Sequence, residues 1–279
     1  MDKKKILILG AKGSLGQALS QVYADREVVG LDQAELDITD EKKVLEKIGE
    51  IKPSIIFNCA AYTNVDGAEK NKELVDKVNG LAVGFIARAC KNIGAILVHY
   101  STGMIFDGSN SEGYNEDDES KPVNYYGKSK LLGEQELQRN ADMYYLIRTC
   151  WLYGKETNGK KSFPDIMLGL IDNLEINAVS DEFGSPTYVK DLAQSSRALV
   201  DLQKPCGVYH IINEGVASRF NWTQEIFKIN NIEKKINKVD STFFKRDAKR
   251  PRFEVLNNNK FIKLRPWQEA LEEYLQSQK

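Results

Sequence analysis

The sequence predicts an α/β fold with a doubly wound parallel sheet and a smaller, discontinuous C-terminal lobe. Three observations carry this. Ile6-Leu7-Ile8-Leu9 is wholly apolar and ends in glycine, as a strand buried on both faces does. Similar runs recur at 27–31, 54–58 and 95–100, with helical periodicity between them. The 279 residues are enough to bury a sizeable core in two unequal lobes.

The first strand leads into Gly10-Ala11-Lys12-Gly13-Ser14-Leu15-Gly16, and Leu15, Leu19, Val22 and Tyr23 then recur at helical spacing. A glycine loop between a buried strand and a helix N-terminus offers free N–H groups and a positive dipole end to a pyrophosphate, as in a Rossmann unit. The second strand, 27–31, ends at Asp32, 22 residues after Gly10, where a carboxylate can hold an adenosine ribose and repel a 2′-phosphate. That favours NAD(H) over NADP(H). Lys12 could offset the repulsion, and Asp37-Ile38-Thr39-Asp40 could equally supply the acid while capping the next helix.

Glu41 to Ile51 reads as an amphipathic helix and Ser54 to Asn58 as the third strand, followed by the small-residue stretch Cys59-Ala60-Ala61-Tyr62-Thr63-Asn64-Val65-Asp66-Gly67-Ala68-Glu69. Lys72 to Ile93 is a long periodic helix; its Asn79 is either solvated or buried and hydrogen-bonded. Ala95 to Tyr100 is the fourth strand, with Ser101-Thr102 at the carboxyl end where open parallel sheets bind ligands. On the following helix Tyr126 and Lys130 lie one turn apart, so the ammonium is expected to favour the phenolate and make Tyr126 a general acid.

Tyr144 to Arg148 is a fifth strand, Lys155 to Ser162 a polar loop and Phe163 to Leu174 a helix. Tyr188 to Leu202 is an amphipathic helix with Asp191 and Arg197 outward, and Val208 to Ile212 a strand returning to the sheet. His99 and His210 sit among apolar strand neighbours and read as satisfied buried side chains. Lys245, Arg246, Lys249, Arg250 and Arg252 form either a solvated face or a cluster for a diphosphate, ahead of a terminal helix from Trp267. A dinucleotide-binding part at 1–150, rejoined by 178–212, and a substrate lobe from 151–177 and 213–279 follow.

Lys and Arg total 39 against 40 Asp and Glu, which excludes a broad nucleic-acid or membrane footprint and leaves a small-molecule partner. Cys59, Cys90, Cys150 and Cys206 lie far apart among small or apolar neighbours and read as buried free thiols in a reducing compartment. The basic start Met1-Asp2-Lys3-Lys4-Lys5 precedes only four apolar residues, too few for a signal peptide, so a cytoplasmic location is expected.

The glycine motif, Ser101-Thr102 and Tyr126-Gly127-Lys128-Ser129-Lys130 resemble the extended short-chain dehydrogenase/reductase family. Within it, the chain looks like reductases of nucleotide-activated 4-keto-6-deoxy sugars. This closer likeness rests on 60–69, Val78-Asn79, 126–134, Arg148 to Gly154, Phe183 to Thr187, Arg250-Pro251 and Arg265-Pro266-Trp267. The resemblance implies NAD(H) or NADP(H) as cofactor, a nucleotide-sugar substrate and a homodimer as one assembly. It makes Thr102, Tyr126 and Lys130 catalytic, sets Ala60, Ala61, Tyr62 and Asn79 beside the cofactor with Gly10, Lys12, Gly13, Ser14, Leu15, Gly16, Asp32, Asp37 and Ile38, and brings Val65 and Trp151 to the sugar nucleotide.

One departure falls in the site. The family usually reads Ser-Thr-Asp-Tyr-Val-Phe-Asp-Gly where this chain has Ser101-Thr102-Gly103-Met104-Ile105-Phe106-Asp107-Gly108. An acid and a phenol facing substrate are thereby replaced, which points to an altered sugar at Gly103 and Met104. Some members dimerise through a metal held by acidic residues; Gln17-Ala18 supply none, and no metal is assigned. The family also contains epimerases, dehydratases and a non-catalytic partner of methionine adenosyltransferase. Intact Thr102, Tyr126 and Lys130 argue against the last, and the absence of an Asp-Glu pair beside Thr102 against dehydration.

Overall fold

Ile6–Leu9 forms β1 with all four residues buried, because both sheet faces are covered. The computed structural model describes residues 5–155, 157 and 159–278; Met1–Lys4, part of the stretch read as too short for a signal peptide, and Glu156 and Asn158 of the expected polar loop, lie outside the described residues. After β1 come α1 (Ser14–Val22), β2 (Val28–Leu31), α2 (Glu41–Ile51) and β3 (Ile55–Asn58). Asp40, rather than Asp37, caps α2 by accepting from the Lys43 N–H at 3.1 Å. Short helices α3 (Val65–Lys70) and α4 (Lys72–Val75) lead through a π-helical segment, Asp76–Leu81, into α5 (Ala82–Ile93). The expected single helix from Lys72 therefore widens around Asn79, a departure typical of functional segments.

β4 (Ile96–Thr102), α6 (Tyr125–Asn140) and β5 (Tyr144–Thr149) complete the regular alternation. The chain then leaves the sheet through β6 (Leu152–Tyr153), α7 (Phe163–Leu168), β7 (Ile176–Val179), β8 (Phe183–Gly184) and β9 (Thr187–Tyr188). It returns with α8 (Val189–Asp201) and β10 (Gly207–His210). The last part holds β11 (Ala217–Ser218), α9 (Arg219–Ile229), β12 (Ile236–Val239), β13 (Phe253–Glu254) and α10 (Trp267–Gln276).

The main sheet has the order β10-β5-β4-β3-β1-β2 with every pairing parallel. The order reverses between β1 and β3, the point at which open parallel sheets bind their ligands, at the strands' carboxyl ends. One core face buries Leu19, Phe57, Ile147 and Trp222, the other Leu7, Val44, Ile86 and Leu146. No helix among the described residues is long and apolar enough to cross a membrane.

Three expectations change. The helix from Phe163 stops at Leu168, where Gly169 and a run of turns follow. Asp191 is buried, not outward: it accepts from Asn213 and pairs with Arg265 through two contacts of 2.9 Å. Cys206 is exposed in the turn after Pro205, while Cys90 and Cys150 are buried and Cys59 is half-buried.

Helix α6 sits on the π segment by close backbone approach, since a Cβ on Gly133 would lie 2.1 Å from the Asn79 carbonyl oxygen. In an isolated helix Gly→Ala gains about 1 kcal/mol. Gly133→Ala is nevertheless expected to lose about 1–3 kcal/mol by overpacking, seen as a lower urea midpoint. A midpoint equal to or above the parent's would show that α6 is not seated this way.

Candidate active site

Two strand ends build the site. At the end of β1, Gly10 adopts φ +76°, and a Cβ there would meet the Ala60 nitrogen at 2.8 Å, so the glycine loop lies directly against the chain leaving β3. The nine-residue helix α1 begins after Gly13 with no side-chain cap, leaving its first N–H groups to a ligand. Asp32 Oδ2 accepts from the Lys12 N–H at 2.8 Å, which sets the carboxylate beside the loop. The Lys12 ammonium turns to Glu35 at 3.2 Å, and Glu35 also accepts from the Asp32 N–H. Two carboxylates thus stand at the end of β2. Asp37 is engaged by the Thr39 N–H and hydroxyl, and Ile38 is buried. Ser14, Leu15 and Gly16 start α1.

Asn79, left open by the sequence, is 1% exposed and fully engaged. Its oxygen accepts from the Tyr62 N–H at 2.8 Å, and its amide donates to the Tyr62 carbonyl and the Ser129 hydroxyl at 3.0 and 3.1 Å. It fixes Ala60-Ala61-Tyr62 to α6, acting through the loop. The cradle of small residues, bare helix N-terminus and adjacent acid fits a dinucleotide.

The second strand end is that of β4, where Thr102 is buried and its oxygen accepts from the Met104 N–H at 3.1 Å. Helix α6 starts beside it, because Asn124 caps the helix through the Gly127 N–H and donates to the Lys249 carbonyl, both contacts under 3 Å. A Cβ on Gly127 would lie 2.1 Å from the Met104 carbonyl oxygen; only glycine lets Tyr126 approach the Thr102 turn so closely. Lys130 is buried and donates to the Tyr100 carbonyl at 2.6 Å.

The titration of this group differs from expectation. Burial, then the Glu254 carboxylate, raises the Tyr126 phenol above its ordinary range, and Thr102 opposes them. Lys130 does not depress it, since its ammonium is turned to the Tyr100 carbonyl. Burial lowers Lys130 itself to about 8, with Glu134 and Cys59 opposing.

Trp151, at φ +48°, holds a conformation rare for a bulky residue, and such strain collects at functional sites. Its indole N–H donates to Glu254 Oε2 at 3.0 Å, and the Arg219 guanidinium stacks 3.8 Å over its ring. Burial lowers Arg219 to about 10 against the pull of Glu254 and Glu182, so it stays charged at neutral pH. Met104, Trp151, Arg219, Arg250 and Glu254 share a cavity of about 250 Å³, which adjoins a groove of about 1010 Å³ containing Lys245, Lys249 and Arg252.

Arg219 and Glu254 escaped the sequence reading. The one available signal was that Glu254 is the sole acid between Asp247 and Glu269. Its placement also corrects the reading of Gly103, for an acid does face Thr102: the Thr102 hydroxyl donates to Glu254 Oε1 at 3.2 Å. Arg250 is not a free cation; it forks onto Asp66 at 2.8 and 3.2 Å. Val65, half-buried at the start of α3, lines neither cavity. His99 and His210 bond through one ring nitrogen each, to Asn58 and to the Asn257 carbonyl; their Nε2 atoms have no partner among the described residues. Burial drives His99 well below its ordinary value and His210 down to about 3, so neither is charged near neutrality.

Residues 4–279 match the family model described as the RmlD substrate binding domain. The chain is 36% identical over 279 residues to the spore coat polysaccharide biosynthesis protein SpsK of Bacillus subtilis, covering 98% of this chain and 97% of that one. It is 35% identical over 281 residues to the dTDP-4-dehydrorhamnose reductase of Mycobacterium tuberculosis, covering 96% and 91%. The crystal structure of dTDP-4-dehydrorhamnose reductase from Bacillus anthracis in complex with NADP superposes with TM-score 0.94 at 35% identity, covering 99% of both chains.

Burial pushes the Glu254 carboxyl up from 4.5 to about 7, against Arg219, Trp151, Thr102 and Arg250. An acid raised on folding stabilises the native state fully below its unfolded value, and this contribution is lost as pH rises through its folded value. From pH 4.5 to 7 the parent should therefore lose stability, on the order of 3 kcal/mol, relative to Glu254→Gln. Urea titrations of both proteins across that range measure the difference, and parallel curves would show that Glu254 titrates as an ordinary carboxyl.

Proposed function

The chain belongs to the RmlD substrate binding domain family, and from that premise we propose that it is an NAD(P)H-dependent oxidoreductase reducing the 4-keto group of a nucleotide-activated 4-keto-6-deoxy sugar. The supporting observation is the meeting of Thr102, Tyr126 and Lys130 at the carboxyl end of β4, beside the glycine cradle of β1. The relatives' names, dTDP-4-dehydrorhamnose reductase and spore coat polysaccharide biosynthesis protein, agree with a role in deoxysugar and cell-surface polysaccharide synthesis.

Residues 1–150 and 178–212 would serve the cofactor, and 151–177 with 213–279 the sugar nucleotide. Gly10 to Gly16 and the N-terminus of α1 would hold the pyrophosphate, Asp32 the adenosine ribose and Lys130 the nicotinamide ribose. The reduced nicotinamide supplies the hydride. Tyr126 gives its proton to the oxygen of the ketone being reduced, which yields the alcohol, and Thr102 orients that oxygen. Lys130 is buried and Tyr126 half-buried, so the proton donor reaches the substrate side while the ammonium behind it is kept from water. In the adjoining cavity Phe163, Met167 and Val179 suit a base, and Arg219 suits a diphosphate, with Arg246 and Arg250 beside it already paired with Glu182 and Asp66.

Tyr126→Phe removes the proton donor and is expected to lower kcat by about 10²–10⁴ while leaving cofactor affinity nearly unchanged. Cofactor oxidation with 4-keto-6-deoxy sugar nucleotides is the assay, and parental turnover in the variant would end this assignment.

Cofactor choice rests on the end of β2. With Asp32 and Glu35 both acidic there and Lys12 already paired, NADH should bind at least as tightly as NADPH. Asp32→Ala should shift preference toward NADPH. Titration of both cofactors into both proteins decides it; tighter NADPH binding by the parent would transfer the choice to Lys12.

A further inference from the structure

Glu254 enters the site from β13, far from Thr102 in sequence, and occupies the space left by Gly103. A Cβ on Gly103 would lie 2.7 Å from Glu254 Cγ, so any larger residue there collides with it. The carboxyl is 4% exposed and takes two neutral donors, the Thr102 hydroxyl on Oε1 and the Trp151 indole on Oε2. Facing it are Tyr126 from α6, Arg219 from α9, Cys150 after β5 and Arg250 on its own segment.

The hydrogen-bond inventory of Thr102 gives this contact a consequence. A hydroxyl has one proton and two lone pairs. One lone pair takes the Met104 N–H. Against an ionised Glu254, which only accepts, Thr102 must spend its single proton on the carboxylate and has none for a substrate oxygen. Against a neutral Glu254 the bond can reverse. The carboxyl O–H then donates to the second lone pair of Thr102, and the Thr102 proton is free to meet the ketone oxygen. Both lone pairs and the proton are then in use.

We propose that Glu254 is a positioning residue for the reduction, setting the direction of the Thr102 hydroxyl so that turnover requires the carboxyl in its protonated form. This rests on the reductase reading above. No proton is consumed by Glu254 itself; it reorients one that Thr102 keeps, and Tyr126 still supplies the proton that ends on the product. An ionised Glu254 also opposes Tyr126, because its charge holds the phenol's proton more tightly. Both effects act in the same direction.

The test is the pH profile of kcat, at saturating cofactor and 4-keto-6-deoxy sugar nucleotide, for the parent, Glu254→Gln and Gly103→Ala. With Glu254 ionising near pH 7, the parent's kcat should fall about fivefold between pH 7 and pH 8. The Gln amide is neutral throughout, with an N–H for Thr102 and an oxygen for Trp151, so this variant should keep turnover and change less than twofold over the same interval. Gly103→Ala displaces the carboxyl from Thr102 and should lower kcat while also flattening the profile. NADH titration of each variant confirms an intact cofactor site. An equal fall in the parent and in Glu254→Gln overturns the proposal and leaves the reductase reading standing, as does a flat parental profile. No turnover by the parent with any such sugar overturns the reductase reading, and this proposal with it.

Discussion

The buried ion pair between Glu134 and Arg148 holds the rest of the site in register. Arg148 lies on β5 and Glu134 on α6, and the guanidinium meets the carboxylate at 2.7 to 3.2 Å while the Ser101 hydroxyl donates to the same carboxylate. Arg148 also donates to the Glu116 carbonyl at 2.9 Å, so both charges are surrounded by donors and acceptors. Removing one partner of such a pair typically costs about 3–5 kcal/mol because the other charge is stranded. The pair therefore fixes the rotation of α6, and with it Tyr126 and Lys130, against the strand that ends in Thr102. The glycine contacts at 127 and 133 set the depth of the same helix. Charge fixes its angle and small residues its distance.

The acids of the Val65 to Glu69 motif act in the same way. Asp66 takes the Ala248 N–H and the fork of Arg250, and Glu69 takes the Tyr125 N–H. One short helix after β3 thus ties the C-terminal segment and the start of α6 to the sheet. Residues that look functional in a motif carry the positions of other residues, and the side chain that then meets Thr102 arrives on the tied segment.

Much of the fold was legible because its signals are local. Buried parallel strands are short apolar runs, their helices are periodic, and the glycine loop has its shape written in sequence. The limits of α2 and the start of α6 coincide with Asp40 and Asn124, which are capping residues. What could not be read depends on distant chain. Within the π segment Asn79 bonds Tyr62 and Ser129 at once, and the buried Asp191 is met by Arg265 from 74 residues away. The two-residue strands β8, β11 and β13 are defined by their partners alone. The same divide runs through the site: Thr102, Tyr126 and Lys130 share one crossover and form a recognisable spacing, whereas Arg219 and Glu254 come from α9 and β13 of the C-terminal part.

Two buried glutamates, bonded to the neighbouring residues Ser101 and Thr102, show how the same side chain is given different work. Glu134 faces a guanidinium fork and a hydroxyl, an arrangement that satisfies an anion and leaves it no freedom. Glu254 faces a hydroxyl and an indole, while the nearby Arg219 spends its planar face on the Trp151 ring. Two neutral donors compensate a buried negative charge far less than a bidentate cation does, and burial then favours the neutral acid. If the site needed only a filler above Gly103, an apolar side chain would pack there without the desolvation penalty. A carboxyl in that position, hydrogen-bonded to the Thr102 hydroxyl, is instead placed where its protonation state decides which way that hydroxyl's proton points.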